Sequence, residues 1–536
     1  MTAELKAKNR TGEHLDWEDS NILQGISRIS SSLEQCNNGE SVTALLDAFL
    51  STCPFFSRSE FQDMEKEKGE PWHRLHCIYS FVHTSGCTRQ FCRLLEECRE
   101  DMGAMGRCSF ILWHLSRNAD NRQEMLSLGT HRALVQLMEE SSQHLNVVVH
   151  SLGLLWNLSA EPDYRNDIIA SRAADMLLDF MHTHEEVAPV QENAIGALIN
   201  LSLNIDFERC KGYVSPLLSV MSRHTSSPLI QENSCWFLCN MNDDSIRSYI
   251  VEHGGVQCVL RCLQVHEEDA RVQEKGLWAL CSFACDGASS CLIVASGGVE
   301  VIVRAMTRFA HNETIVCYAC WTLKNVAAVS KDVCVDIARE GVVPVVLELL
   351  RGQGGKKRGG WSDETLEQFF SLIRNLAFHD DVRAEIVKRK GIARILKSLP
   401  RVQAAATKAS SLAALCNLVK QEDESIVELV RRKGVEAVLL LMTSDCCLDI
   451  HKFGCILLYS LSRERESCKL RVIRAGGVEV LKEAIKQHGH EQTVRDCAVQ
   501  TLRNLCYNDK MEMRIQQETN ILLARASHPL QVCLLP

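Results

Sequence analysis

Apolar residues recur along this chain at helical spacing, and block after block closes on one polar residue set between apolar ones. The closing strings are ILWHLS (111–116), LLWNLS (154–159), ALINLS (197–202), FLCNM (237–241), ALCSFA (279–284), TLKNVA (322–327), LIRNLA (372–377), ALCNLV (414–419), LLYSLS (457–462) and TLRNLC (501–506). Their polar residues are His114, Asn157, Asn200, Asn240, Ser282, Asn325, Asn375, Asn417, Ser460 and Asn504. Successive spacings are 43, 43, 40, 42, 43, 50, 42, 43 and 44 residues, a regularity that marks a repeat.

A second marker runs in phase. Gly212, Gly255, Gly298, Gly341, Gly391, Gly434 and Gly477 are spaced 43, 43, 43, 50, 43 and 43 residues apart, Gly129 fits the same frame, and the position near Arg172 lacks its glycine. Each is followed by an apolar helical run, so the glycine is expected to end one helix in the left-handed conformation and start the next. The single 50-residue spacing in both series has one cause, the basic Gly-rich insertion 351–360 (RGQGGKKRGG). A short helix, a turn and two longer helices per period predict an all-α solenoid, because one such unit cannot bury its apolar face alone.

The solenoid is expected over 107–510. Residues 1–106 lack clear register and read as an N-terminal helical cap, with amphipathic helices at 22–35 and 41–52, a loop around Phe55–Gly69, and LHCIYSFV (75–82) as a degenerate copy. Residues 511–536 read as a tail or partial helix.

Composition narrows the class. By the usual size of a domain, 536 residues would make three or four globular units, unless one repeat array accounts for them. Aromatics are only 6% of the chain, which favours helices over sandwiches and barrels. No apolar run is long enough for a membrane helix and the N-terminal region has no secretory h-region, so no membrane span is expected. The 26 cysteines are then reduced thiols, many of them (Cys235, Cys239, Cys281, Cys320, Cys416, Cys497) small hydrophobes in apolar helical patterns. That places the chain in the cytoplasm or nucleus. The net charge of −9 is uneven: residues 351–536 hold 30 Lys and Arg against 22 Asp and Glu, whereas 1–350 hold 29 against 46. Overall acidity argues against nucleic acid as the partner.

With these strings the chain resembles the armadillo-repeat family. LLWNLSAEPDYRND resembles repeats of β-catenin and the adenomatous polyposis coli protein, and ENSCWFLCNM and CYACWTLKNVA resemble those of importin-α. The resemblance covers about 107–510 and implies a right-handed superhelical α-solenoid of about ten repeats, whose third helices line a concave groove. It also implies that the repeated Asn bonds the main chain of an extended peptide, which makes Asn157, Asn200, Asn240, Asn325, Asn375, Asn417 and Asn504 partner-binding candidates; His114, Ser282 and Ser460 depart from the pattern. A polar residue there can equally cap its helix or bond the neighbouring repeat.

Trp236, Trp278 and Trp321 each stand four residues before such a position, one turn away on the same face. Segment 231–345 carries 14 acidic against 9 basic residues, so by the importin-α resemblance this stretch would hold a Lys/Arg-rich peptide; packing within the stack is the alternative role for the indoles. Farther along, Arg374 beside Asn375 and Arg503 beside Asn504 suggest, by the β-catenin resemblance, a site for acidic segments. The runs Lys388–Lys390 and Arg431–Lys433 suit helix C-termini.

Catalytic and metal signals are weak. Cys317 and Cys320 form a lone CxxC inside a helix, no second ligand pair accompanies it, and GQGGKKRGG lacks the Ser or Thr and the strand of a phosphate loop. Neither a metal nor another cofactor is expected. The expected function is therefore a non-enzymatic scaffold or adaptor that binds extended protein segments, basic at the front groove and acidic at the rear. Two alternatives are an importin-α-like receptor for basic targeting peptides and a regulatory subunit or chaperone cofactor working through its convex face.

Overall fold

A computed structural model describes residues 17–34, 39–53, 70–97, 99–241, 243–352, 360–419, 423–463 and 466–505. Among them every regular element is a helix. The expected loop at Phe55–Gly69, most of the 351–360 insertion and the 511–536 tail lie outside the described residues. The chain forms two compact units, Met1–Cys258 and Val259–Pro536, divided within the helix Gly255–Val265.

Within each unit the period resolves into helix triplets. In the first unit Ala119–Ser127, Thr130–Glu140 and Leu145–Leu158 form one, and Arg165–Ala170, Ala173–Thr183 and Ala188–Leu201 the next. In the second unit the series continues, for example, through Lys331–Arg339, Val342–Arg351 and Asp363–Leu376, then Asp380–Lys388, Gly391–Ser398 and Ala405–Leu418. Third helices pack on third helices of neighbouring repeats. Leu145–Leu158 accordingly buries Val147, Val148, Leu152, Leu154, Leu155 and Leu158, and a fully buried Leu or Val contributes about 1.5–3 kcal/mol. First helices are held by arginines that close the third helix before them: Arg122 donates to the carbonyls of Ser116 and Arg117 at 3.0 Å, and Arg165 to those of Ser159 and Ala160 at 3.0 and 3.2 Å.

The repeat begins earlier than its sequence register. Glu70–Thr84 and Cys87–Glu97 complete a triplet with Met102–Leu115, so LHCIYSFV belongs to a first helix and is not a copy of the third. Trp17–Glu34 and Gly39–Thr52 pack on the second and third helices of that triplet, respectively, and Phe49 meets Phe91 edge-on with ring centroids 4.9 Å apart. They supply two helices of a further repeat and cover its apolar face.

The glycine reading needs two corrections. The left-handed residue is Gly129 (φ 77°), Arg172 (φ 68°), Gly254 (φ 89°), Gly297 (φ 74°), Gly341 (φ 81°), Lys390 (φ 65°), Lys433 (φ 60°) or Gly476 (φ 82°). Gly255, Gly298, Gly391, Gly434 and Gly477 are therefore one residue past the turn, and their need is different. A Cβ on Gly298 would lie 2.6 Å from Ile293 Cγ2 and 2.7 Å from its carbonyl oxygen, so these glycines let the second helix start against the first. Gly212 does neither: it lies inside one continuous helix, Phe207–Arg223, where first and second helices are fused.

Candidate functional site

All ten recurring polar residues fall in the last turn of a third helix, and all but the buried His114 are half-buried. In the first unit the Asn157 amide donates to Trp113 O at 3.2 Å and Ser116 Oγ at 2.9 Å. Asn200 donates to Trp156 O and Ser159 Oγ, both at 3.1 Å, and Asn240 to Ile199 O at 3.2 Å and Ser202 Oγ at 3.4 Å. In the second unit Asn375 donates to Lys324 O at 2.9 Å, Asn417 to Arg374 O at 2.8 Å, and Asn504 to Ser462 Oγ at 3.1 Å. The Asn325 side chain makes no such bond among the described residues.

One amide edge is thus spent on the preceding repeat. Ser116 Oγ and Trp113 O are themselves 2.6 Å apart, and Ser159 Oγ and Trp156 O 2.7 Å, so in each case the two acceptors subtend a narrow angle at Nδ2 and share one N–H. The second N–H and Oδ1 remain to pair with a peptide unit, whose own donor and acceptor they match. The serines are members of the site that the sequence reading missed. Their signal is the Ser two residues past the polar position in HLS, NLS, NLS and SLS.

The tryptophans divide by unit. In the first, Trp236 is 39% exposed. Two indoles not singled out from sequence, Trp113 and Trp156, lie half-buried across the glycines of the next third helix: a Cβ on Gly153 would come 2.4 Å from the Trp113 ring, and one on Gly196 2.3 Å from the Trp156 ring. Glycine stands at those tryptophan-register positions because the neighbour's indole occupies the space. In the second unit Trp278 stacks on Tyr318 at 5.6 Å with ring planes 3° apart. Lys275 Nζ lies 5.2 Å from the Trp278 ring centroid, and Lys324 Nζ 4.9 Å from that of Trp321. Lys324 Nζ also donates to Gln368 Oε1 at 2.9 Å, and burial pushes its pKa down. Arg374 Nε donates to Asn375 Oδ1 at 3.4 Å, whereas Arg503 is exposed.

His114 replaces the amide at the first rung and is 3% exposed. Burial, with Arg117 and His150 adding to it, pushes its pKa from 6.5 down to about 3. In the unfolded chain it takes up a proton near pH 6.5 and in the folded chain only near pH 3, so stability falls as pH drops through that window. At pH 5 the loss is about 2 kcal/mol. His114→Asn is expected to reduce the difference between urea midpoints at pH 7.5 and 5.0; an unchanged difference would show that the slope belongs to His131, His150 and His451, which burial also lowers.

Burial also pushes Cys317 up to about 11 and Cys320 above its ordinary range, which disfavours the thiolates a metal would need. Among the described residues no group of three or more His, Cys, Asp or Glu side chains is arranged to hold a metal ion, and no single helix is long and apolar enough to cross a membrane.

Solved structures share this architecture. One, from work on a phosphorylation switch controlling the interaction between cadherin and β-catenin, aligns over 91% of this chain and 97% of its own with a TM-score of 0.65 and 14% identity. The fold is the armadillo-repeat solenoid. An engineered protein aligns over 78% of this chain and 98% of its own, with a TM-score of 0.65 and 23% identity. In sequence, the chain is 27% identical over 92 residues to protein aardvark of Dictyostelium discoideum, a match spanning 16% of this chain and 12% of that protein's length. No family model matches the chain.

Proposed function

We propose that this armadillo solenoid is a non-enzymatic scaffold that binds extended segments of other proteins along its third-helix surfaces, in the cytoplasm or nucleus. The observation carrying the reading is the asparagine ladder: each bonded amide is oriented by the preceding repeat, and the residues are half-buried at repeat spacing. Except at Asn375, whose Oδ1 accepts from Arg374, the other amide edge is left for a ligand. Such a preformed row lowers the ordering cost of binding to that of the ligand alone. The β-catenin likeness supports protein segments as the ligand class.

The two units favour opposite charges. In the first, Glu192 and Glu232 lie two turns before Asn200 and Asn240. Glu232 is one turn before Trp236 and Glu192 one turn before Gly196, which faces the Trp156 ring, and this placement suits a Lys/Arg-rich segment. In the second, Lys275 and Lys324 already occupy the faces of Trp278 and Trp321, so a basic ligand would meet resident cations there. With Arg374 they favour an acidic segment. Two of the three indoles that suggested an importin-α-like site are therefore better placed for the opposite ligand.

The test is a titration of labelled Lys/Arg-rich and Glu-rich peptides at two salt concentrations, against wild type, Trp156→Ala/Trp236→Ala and Lys324→Ala/Arg374→Ala. The first variant is expected to weaken only the basic peptide and the second only the acidic one, each by about tenfold or more. If neither peptide binds wild type, the third-helix surface is not a peptide site.

A further inference from the structure

A second charged feature lies away from the asparagine ladder. In the second unit the second helices Val342–Arg351 and Gly391–Ser398 pack side by side, and their ends border an open cleft of about 690 Å³. Arg351, Lys390, Arg394, Lys397, Arg401 and Arg432 line it, and among the described residues no carboxylate does. Glu348 pairs with Arg351 at 3.3 Å and Arg394 at 3.4 Å. Lys390, Lys397, Arg401 and Arg432 are exposed and have no ion pair among the described residues.

Lys390, Arg394 and Lys397 belong to one helix and its N-cap, and the other three cations to separate elements. Lys390 stands at the left-handed turn before Gly391–Ser398, Arg401 ends the 3-10 turn Leu399–Arg401, and Arg432 follows the helix Asp423–Arg431 of the next repeat. Arg351, Lys397 and Arg401 stand in last turns and Lys390 and Arg432 just past helix ends, and the stacking of repeats brings these ends together around one cleft. Like charges gathered around one cleft repel one another, a cost that an anion in the cleft removes. Arg394 is held in place by a bond to Leu347 O, and the left-handed Gly360 lets the backbone pass close to Arg401.

The geometry points to a binding site for a compact polyphosphate, a small ring or headgroup bearing several phosphates. The volume falls within the roughly 300–1,000 Å³ of small-ligand sites. Each phosphate brings about −1.5 to −2 charges, whereas an acidic peptide spreads single charges along an extended chain. Arginine forks would grip phosphate oxygens in pairs and the lysines would neutralise the rest. No third-helix residue lines the cleft, so it serves a ligand independent of any peptide on the ladder.

Inositol hexakisphosphate titrated calorimetrically into the full chain tests this, beside vesicles containing phosphatidylinositol bisphosphate and vesicles of equal charge made with phosphatidylserine. Wild type is expected to bind the polyphosphate with strong salt dependence. Lys397→Glu/Arg401→Glu and Lys397→Gln/Arg401→Gln are expected to weaken binding by about tenfold or more, while Arg132→Glu/Arg339→Glu, reversed elsewhere, leaves it intact. Preference for the bisphosphate vesicles over free polyphosphate assigns the site to a membrane headgroup; the reverse assigns it to a soluble ligand. Failure of both to bind, or equal losses in cleft and control variants, overturns the proposal. So does a Glu-rich peptide that binds more tightly than the polyphosphate and is lost in the same cleft variants.

Discussion

Gln231→Leu is expected to destabilise the first unit by about 1–3 kcal/mol, although the two side chains are similar in size. Gln231 is 2% exposed, and its Nε2 donates to Met221 O at 2.8 Å and His224 O at 3.0 Å. Those carbonyls end the helix Phe207–Arg223, and the Ser227 N–H also donates to His224 O at 3.1 Å. Leucine would take this donor from the buried Met221 carbonyl, at about 1–3 kcal/mol, and leave His224 O with the Ser227 N–H alone. Gln231→Glu is expected to cost more, because an ionised carboxylate donates nothing and faces two carbonyl oxygens. The check is a urea titration read with hydrogen exchange in the last turn of Phe207–Arg223. A loss below about 0.5 kcal/mol would mean that water satisfies those carbonyls in the variant. Gln191 and Gln273 make the same pair of bonds, at 3.0 and 2.9 Å and at 2.7 and 3.0 Å, so the device is shared by three successive repeats.

The helical period and the third-helix register were legible because apolar spacing dictates which face must be buried, and stacking rewards repetition of that face. The turns were less legible because two physical demands fall on adjacent positions. One is a left-handed backbone, which Arg172, Lys390 and Lys433 accept despite a cost of about 1–2 kcal/mol. The other is close approach to the preceding helix, met by glycine at Gly255, Gly298, Gly391, Gly434 and Gly477, while Thr130, Ala173 and Val342 stand there in other repeats. A glycine series therefore marks the turn region without saying which demand each glycine meets. At the site, the identity of the asparagines was visible but their bonding was not. Asn157, for example, is oriented by a carbonyl 44 residues earlier, a pairing that exists only once the repeats stack. Likewise the resident lysines over Trp278 and Trp321 depend on side-chain directions that spacing alone leaves open.

Gly196→Ala should cost about 1–3 kcal/mol even though alanine is the better helix former, and the penalty should vanish when Trp156 is also alanine. An added Cβ would lie 2.3 Å from Trp156 Cδ2 and 2.4 Å from Cε2, atoms at the fused edge of a rigid ring that cannot bend away as a flexible chain end would. The indole must leave its place across the third helix Ala188–Leu201. With Trp156→Ala the obstruction is gone, and Gly196→Ala should then gain up to about 1 kcal/mol from helix propensity. The cycle isolates this contact from the asparagine ladder, because Asn200 bonds the main-chain oxygen of Trp156, which survives both substitutions. Thermal and urea unfolding of the four proteins measure the coupling, and additive effects would show that the ring relaxes freely. The same displacement separates the two roles of the indole. If Gly196→Ala lowers affinity for a Lys/Arg-rich peptide while the repeats remain folded, Trp156 acts as a binding surface; if stability falls and affinity holds, its role is to seal the joint between repeats.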